Sequence, residues 1–326
     1  MGQMMGMKDQ VNFKELILKS KKYFIIGVAG DSGSGKTTFV KGIRNMFGDE
    51  MVCAFSLDDY HKYGRNQRAK LKIFPLNPKA NNLSLLYKDL AKLKKGKTIS
   101  KPVYDHSTGE FGKPVKFKPK PIIIIEGLMP FYTEELREII DFKVFVDPER
   151  TVKRRWKIKR DIEERGHKME DVMPEIIARE PDYKKYIDFQ KIYAEVVIKV
   201  HPTKFVDILG NSDMVSIRMI QRTLDIPLTH LHLSIDLAKM LKVSKRKFSL
   251  DFEGGDYYGY DISAITMDGM VNKEIIIELQ KRICELTGCR EEVIFNAEYS
   301  AATDLAQLLL AWRFLEQIEY ILKKEA

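Results

Sequence analysis

Residues 30–37 read GDSGSGKT, which fits the spacing G-x-x-x-x-G-K-[ST]. Glycines at these positions let consecutive backbone N–H groups turn inward around phosphate oxygens. An apolar run, YFIIGVA, precedes the loop, and a helical pattern, TTFVKGIRNMF, follows it. The positive end of that helix adds to the cradle. Lys36 can reach β- and γ-phosphates, and the Thr37 hydroxyl can ligate Mg²⁺. Gly30, Asp31, Ser32, Gly33, Ser34, Gly35, Lys36, Thr37 and Thr38 are therefore the residues expected to hold a nucleoside triphosphate.

A second polar cluster, SLDDYHKYGR at residues 56–65, follows another apolar run, MVCAF. In an open α/β sheet, ligands sit beyond the carboxyl ends of the strands, so Asp58 and Asp59 should share an edge with the phosphate loop. A carboxylate there can take a proton from a hydroxyl or hold Mg²⁺. Arg65 and Arg68 could grip an anionic part of an acceptor. A solvated turn is the alternative reading. Glu126, after four isoleucines, stands where a strand-end acid approaches Mg²⁺ through water, or where a strand simply stops. Residues 151–167, TVKRRWKIKRDIEERGH, place Lys157, Arg160, Asp161 and Arg165 on adjacent helical faces. They form either a solvated basic helix with pairs such as Asp161–Arg165 or an arginine-bearing lid. There is no Asn-Lys-x-Asp motif for guanine, and no set of helicase motifs accompanies the loop.

Short, continuously apolar runs at 23–29, 51–57, 122–125, 142–146 and 194–200 predict strands covered on both faces. Residues 83–95 place Leu86, Leu90 and Leu93 on one helical face and close at Gly96, and a charged helix is expected over 148–165. This alternation predicts an α/β domain with a mostly parallel sheet over residues 1–202. Residues 101–120 read as a hairpin excursion with turn chemistry at 107–109. Beyond Pro202 the alternating runs SIRMIQRT and DISAITM, with helices near 272–287 and 301–323, predict a smaller mixed subdomain packed on the first.

The chain has 326 residues, 44% of them hydrophobic, and a formal net charge of +9, which favours anionic partners such as nucleic acid, membrane surfaces or phosphorylated metabolites. Cys53 lies in an apolar run, while Cys284 and Cys289 have no His or Cys cluster around them to complete a zinc site. Three cysteines point to a reducing cytosol. The N-terminus lacks a hydrophobic signal core, and the densest apolar run, PIIIIEGL, is too short for a membrane span, so a cytoplasmic protein with no membrane partner is expected.

The motifs GDSGSGKTT, SLDDYHKYGR, LNPKANN, KPVYDH, IIIIEGLMPFY, WKIKRDIEERGH and YIDFQKIYAEVVI together resemble those of the phosphoribulokinase family, within the wider uridine-kinase-like group of P-loop kinases. They cover most of residues 23–200, and a weaker echo, DYYGYDIS…MDG, extends to 269. The resemblance implies ATP- and Mg²⁺-dependent phosphorylation of ribulose 5-phosphate at its C1 hydroxyl. Asp58 resembles the catalytic base, and Asp161 a second essential acid near Mg²⁺, with Asp58 itself a possible Mg²⁺ neighbour. His61 and Arg65 resemble sugar-phosphate contacts, and Tyr104 and His106 fall in a hairpin resembling a substrate-contacting one. Lys157, Arg160 and Arg165 resemble a basic lid around ATP and substrate. Lys36, Thr37 and Glu126 take the ordinary roles of the loop and strand-end acid. A homodimer and a Rubisco-linked carbon pathway are implied by the resemblance alone. The plant members' regulatory cysteine pair falls at Ser34 and Ser56, so that disulfide switch is absent. Two other functions stay open from the residues themselves: a kinase of uridine or another sugar or sugar phosphate, and a nucleotide-binding regulatory or nucleic-acid-associated protein with no small-molecule acceptor; the acid–His–Arg cluster argues against the last, and no nucleic-acid partner is expected.

Overall fold

Isoleucine- and valine-rich runs without alternation are suited to strands buried on both faces, and they form the centre of one sheet. The computed structural model describes residues 12–164, 169–205, 214–225, 247–288 and 299–324. After helix α1 (Phe13–Ser20), strand β1 (Phe24–Gly30) runs into the phosphate loop and helix α2 (Lys36–Met51). Gly48 breaks the regular helix near its end. Strand β2 (Val52–Ser56) leads to a single 3₁₀ turn at Leu57–Tyr60, then to α3 (Arg65–Leu71) and α4 (Leu83–Leu93).

The expected excursion is a stalk of two short pairings. Strand β3 (Ile99–Lys101) pairs with β6 (Val115–Phe117), and between them β4 (Tyr104–Asp105) pairs with β5 (Glu110–Phe111). Next come β7 (Ile122–Gly127), α5 (Glu134–Ile139), β8 (Phe142–Pro148), α6 (Arg150–Lys159), a wide turn at Arg160–Glu164, α7 (Met169–Asp182) and β9 (Val196–Pro202). The C-terminal third supplies β10 (Val215–Arg222), β11 (Phe248–Tyr257), β12 (Tyr260–Asn272), α8 (Lys273–Thr287), β13 (Tyr299–Ala301) and α9 (Ala302–Lys324).

Strands β2, β7, β1, β8 and β9 are parallel, and β10, β12 and β11 continue the same sheet antiparallel from β9. The change of texture at Pro202 thus marks a switch of pairing direction within one sheet. Along β1, Phe24, Ile26 and Val28 face the core under α2, α8 and α9, while Ile25 and Ala29 face the opposite core with α4 and α5. Helix α9 packs along α2, with Phe314 edge-on to Phe47 at 5.9 Å. The C-terminal segment therefore buttresses the helix that carries Lys36 and Thr37. Phe314 is 1% exposed, and Phe314→Ala should cost about 3–5 kcal/mol of stability, read as a lowered urea midpoint. A midpoint unchanged within error would mean α9 is not part of the core.

Cys53 is half-buried, and burial pushes its thiol pKa up. Cys284 is disulfide-bonded, which the cysteine count did not anticipate. Among the described residues no helix is long and apolar enough to cross a membrane.

Candidate active site

Register decides which side chains meet. Glu126 pairs with Val28 on one side and Ser56 on the other, so the ends of β1, β7 and β2 come level. Thr37, Asp58 and Glu126 consequently line one cavity of about 1040 Å³.

Gly33 and Gly35 have φ of +78° and +85°, backbone that L side chains rarely adopt. They are crowded as well. A Cβ on Gly33 would lie 3.4 Å from Arg160 Nη1, and one on Gly35 3.3 Å from the Trp156 ring. Lys36 Nζ donates to the carbonyls of Gly30 (3.1 Å) and Asp31 (2.7 Å), inside the loop. Burial lowers its pKa, opposed by the charges of Asp58, Glu126 and Asp31. The Thr37 hydroxyl donates to both Glu126 carboxylate oxygens, at 2.9 and 3.1 Å. Ser34 Oγ is buried and has no hydrogen-bond partner among the described residues. An orphaned hydroxyl, a cation and a helix N-terminus around one glycine-lined hollow fit the phosphates of a nucleotide.

The two adjacent aspartates part company at the 3₁₀ turn. Ser56 Oγ accepts from Asp58 N–H, while Leu57 and Tyr60 turn into the core. Asp59 accepts from Lys101 Nζ and from Tyr104 N–H (2.8 Å), fastening the β4–β5 hairpin to the end of β2. Asp58 instead faces the cavity, its side chain 31% exposed. His61 Nε2 lies 3.7 Å from one of its oxygens and His106 Nε2 3.4 Å from the other. Asn81 donates its amide to Pro75 O and Asn77 O, so its oxygen faces His61 Nδ1 at 2.8 Å. That fixes the His61 proton on Nδ1 and leaves Nε2 toward Asp58. Burial holds the His61 pKa below its ordinary value, against the charge of Asp58. Burial also acts to raise the pKa of Asp58, but the hydrogen bond from His106 and the charges of the two histidines and Lys36 outweigh it. The carboxyl therefore titrates well below the usual range.

Arg68 is buried, donating to Tyr63 O (2.5 Å) and to the Tyr104 hydroxyl (2.8 Å). Tyr104 stands edge-on between the rings of His61 and His106, at 5.2 and 5.1 Å. Arg65 is exposed and donates to His106 O at 2.5 Å. The structure thus gathers Asp58, His61, Arg65, Arg68, Tyr104 and His106 around one side of the cavity.

On the other side, Arg160 donates to Ser32 Oγ (3.1 Å) and to Asp161 (2.9 and 3.1 Å). Lys157 pairs with Asp161 and lies 3.5 Å from Glu175. Asp161 is 1% exposed, and its carboxylate is held by these two cations. Burial would raise its pKa, but hydrogen bonds from Lys157 and Arg160 bring it down. The pair Thr37–Glu126 therefore presents oxygens to the cavity more directly than Asp161. Arg165, and with it the expected Asp161–Arg165 pair, lies outside the described residues. Sequence reasoning missed Asn81, Lys101, Trp156 and Glu175. Asn81, Lys101 and Trp156 sit inside quoted motifs, LNPKANN, KPVYDH and WKIKRD, whereas nothing local marks Glu175.

The Phosphoribulokinase / Uridine kinase family matches residues 25–207. A phosphoribulokinase of Synechocystis sp. is 44% identical over 198 residues, 61% of this chain and 59% of that protein, so the chain spans less than two thirds of that relative's length. A chloroplastic phosphoribulokinase of Chlamydomonas reinhardtii is 31% identical, covering 93% of this chain and 90% of its own. Among solved structures, phosphoribulokinase from Rhodobacter spheroides has a similar fold, with a TM-score of 0.57 at 17% identity over 92% of this chain and 98% of that one. The matched span from β1 through β9 carries every side chain placed around Lys36 and Asp58, and the chain belongs to the Phosphoribulokinase / Uridine kinase family.

Proposed function

We propose that the protein transfers the γ-phosphoryl group of ATP to the C1 hydroxyl of ribulose 5-phosphate, giving ribulose 1,5-bisphosphate and ADP. The observation that carries this reading is that an ionised, cavity-facing Asp58 lines the same cavity as Arg65 and Arg68, across from the phosphate loop. A neutral nucleoside would need no arginine pair; an acceptor that already bears a phosphate would.

Asp58 accepts the hydroxyl proton as the new oxygen–phosphorus bond forms and the bond to ADP breaks. Lys36 and Arg160 hold charge that builds on the transferring group. Lys157 and Arg160 keep Asp161 ionised beside them. Thr37 and Glu126 are the residues suited to hold Mg²⁺, directly and through water, and the ion when bound neutralises the β- and γ-phosphates. Among the described residues no group of three His, Cys, Asp or Glu side chains is arranged to hold a metal by itself, which suits an ion that keeps waters and phosphate oxygens as ligands.

The decisive experiment measures ADP release with ATP and Mg²⁺ against ribulose 5-phosphate, uridine and buffer. Turnover with ribulose 5-phosphate alone supports the reading; turnover with uridine, or equal release in every tube, overturns it. Arg65→Gln should raise KM for the sugar phosphate about 10- to 100-fold, the worth of a hydrogen bond to a charged group, with KM for ATP little changed. An unchanged sugar-phosphate KM would remove Arg65 from that contact. The reading also takes the enzyme as a cytosolic homodimer, checked by sedimentation.

A further inference from the structure

Asp31 is out of place for a phosphate-binding residue. A carboxylate inside a cradle for polyanions repels its ligand unless it is turned away and neutralised. Here it is both. The Asp31 carbonyl accepts from Lys36 inside the loop, but its side chain turns to the opposite side. It lines a small cleft with Lys153, Arg154 and Tyr183, outside the main cavity, and Arg179 borders both.

Lys153 Nζ lies 3.2 Å from one Asp31 oxygen and Arg179 Nη2 3.4 Å from the other. The side chains of Asp31, Lys153 and Arg179 are 12%, 11% and 10% exposed. Ser32 N–H also donates to the carboxylate, at 2.7 Å. Burial would raise the Asp31 pKa, but Arg179, Lys153 and that N–H lower it, so the group is an anion. Lys153 lies one turn before Lys157 on α6, and its ammonium sits 3.9 Å from the centre of the Tyr183 ring. Arg179 lies one turn after Glu175 on α7 and donates to it at 3.1 Å; Glu175 in turn faces Lys157. Charges alternate from Asp31 through Arg179, Glu175 and Lys157 to Asp161.

We propose that Asp31 is a positioning residue, a carboxylate latch on the back of the phosphate loop. It fastens α6 and α7 so that Lys157, Arg160 and Asp161 stand in register with the transferring phosphoryl group. This rests on the kinase reading of the site. Losing the latch leaves two buried cations without their shared anion, so α6 shifts off the loop. A shift of about 1 Å in the groups it carries costs about 100-fold in rate.

The chain has two tryptophans, and Trp156 on α6 rests against Gly35 of the loop. In a Trp312→Phe parent, fluorescence therefore reports α6 seating without any acceptor. Asp31→Asn keeps the shape and the acceptor for Ser32 N–H and removes the charge. We expect acrylamide quenching of Trp156 to rise about twofold, as local opening requires. We expect kcat to fall about 100-fold while KM for ATP moves less than about threefold. Arg179→Met should do the same from the other side, and the double variant should be far from additive. Unchanged quenching and kcat in both single variants would overturn the latch. Equal losses in kcat and ATP affinity would overturn it too, by placing the carboxylate in nucleotide binding. If the parent turns over no sugar phosphate, the kinase reading fails, and the quenching arm still decides the latch by itself.

Discussion

Replacing Asp58 with Asn is expected to lower kcat about 10²- to 10⁴-fold, the usual worth of a positioned general base, with KM for ATP changed far less. The substitution is isosteric, and an amide oxygen can still face His106, 3.4 Å away in the structure. What disappears is the ability to take the acceptor's proton. Asp58 is held in its charged form by the hydrogen bond from His106 and by the charges of His61, His106 and Lys36, so it stays ionised as pH falls through the ordinary aspartate range near 4. At saturating substrate, kcat in the wild type should therefore not decline through an Asp58 titration anywhere between about pH 5 and 9. Any acid limb near 6 belongs to another group, the acceptor's own phosphate among them. A carboxylate of such low basicity accepts a proton only when the new oxygen–phosphorus bond is well advanced, which matches a loose phosphoryl transfer. Turnover by Asp58→Asn within tenfold of wild type would sink the base assignment.

The phosphate loop was legible because its chemistry is local: eight consecutive residues supply the turn, the cation and the hydroxyl. Glu126 was legible for a similar reason, as a charge ending an apolar strand. The division of labour between Asp58 and Asp59 was not. It depends on which way a single 3₁₀ turn faces and on a hairpin more than forty residues away, whose Lys101 and Tyr104 claim Asp59. The basic run at 151–167 could be read as a helix, either solvated or an arginine-bearing lid, but its seating could not be read. Its register against the loop is set by partners on α7, Glu175 and Arg179, that carry no motif. Pro202 looked like a boundary because residues beyond it alternate in polarity. Alternation reports one-sided burial in antiparallel strands, and these strands simply continue the sheet from β9.

Lys36→Met should lower kcat about 10²- to 10³-fold, the loss expected when one preorganised charge is withdrawn from the developing transition state. Unlike Asp58→Asn, it should also weaken ATP binding, because the ammonium lies within the phosphate cradle itself. The loop should keep its shape. Gly33 and Gly35 set the backbone, and methionine has nearly the length of lysine. The electrostatic effect extends further, however. Lys36 stands among Asp58, Glu126 and Asp31, whose charges offset the effect of burial on its pKa. Removing it takes away one of the charges that keep the Asp58 pKa low. The Asp58 carboxyl should then titrate somewhat less far below the usual range, while the histidines still keep it ionised at neutral pH. Sharing one electrostatic cluster, Asp58→Asn and Lys36→Met should combine to cost much less than the product of their separate effects. Fully multiplicative losses would mean that the two residues act independently, and that the proximity of Lys36 to the base has no part in setting its ionisation.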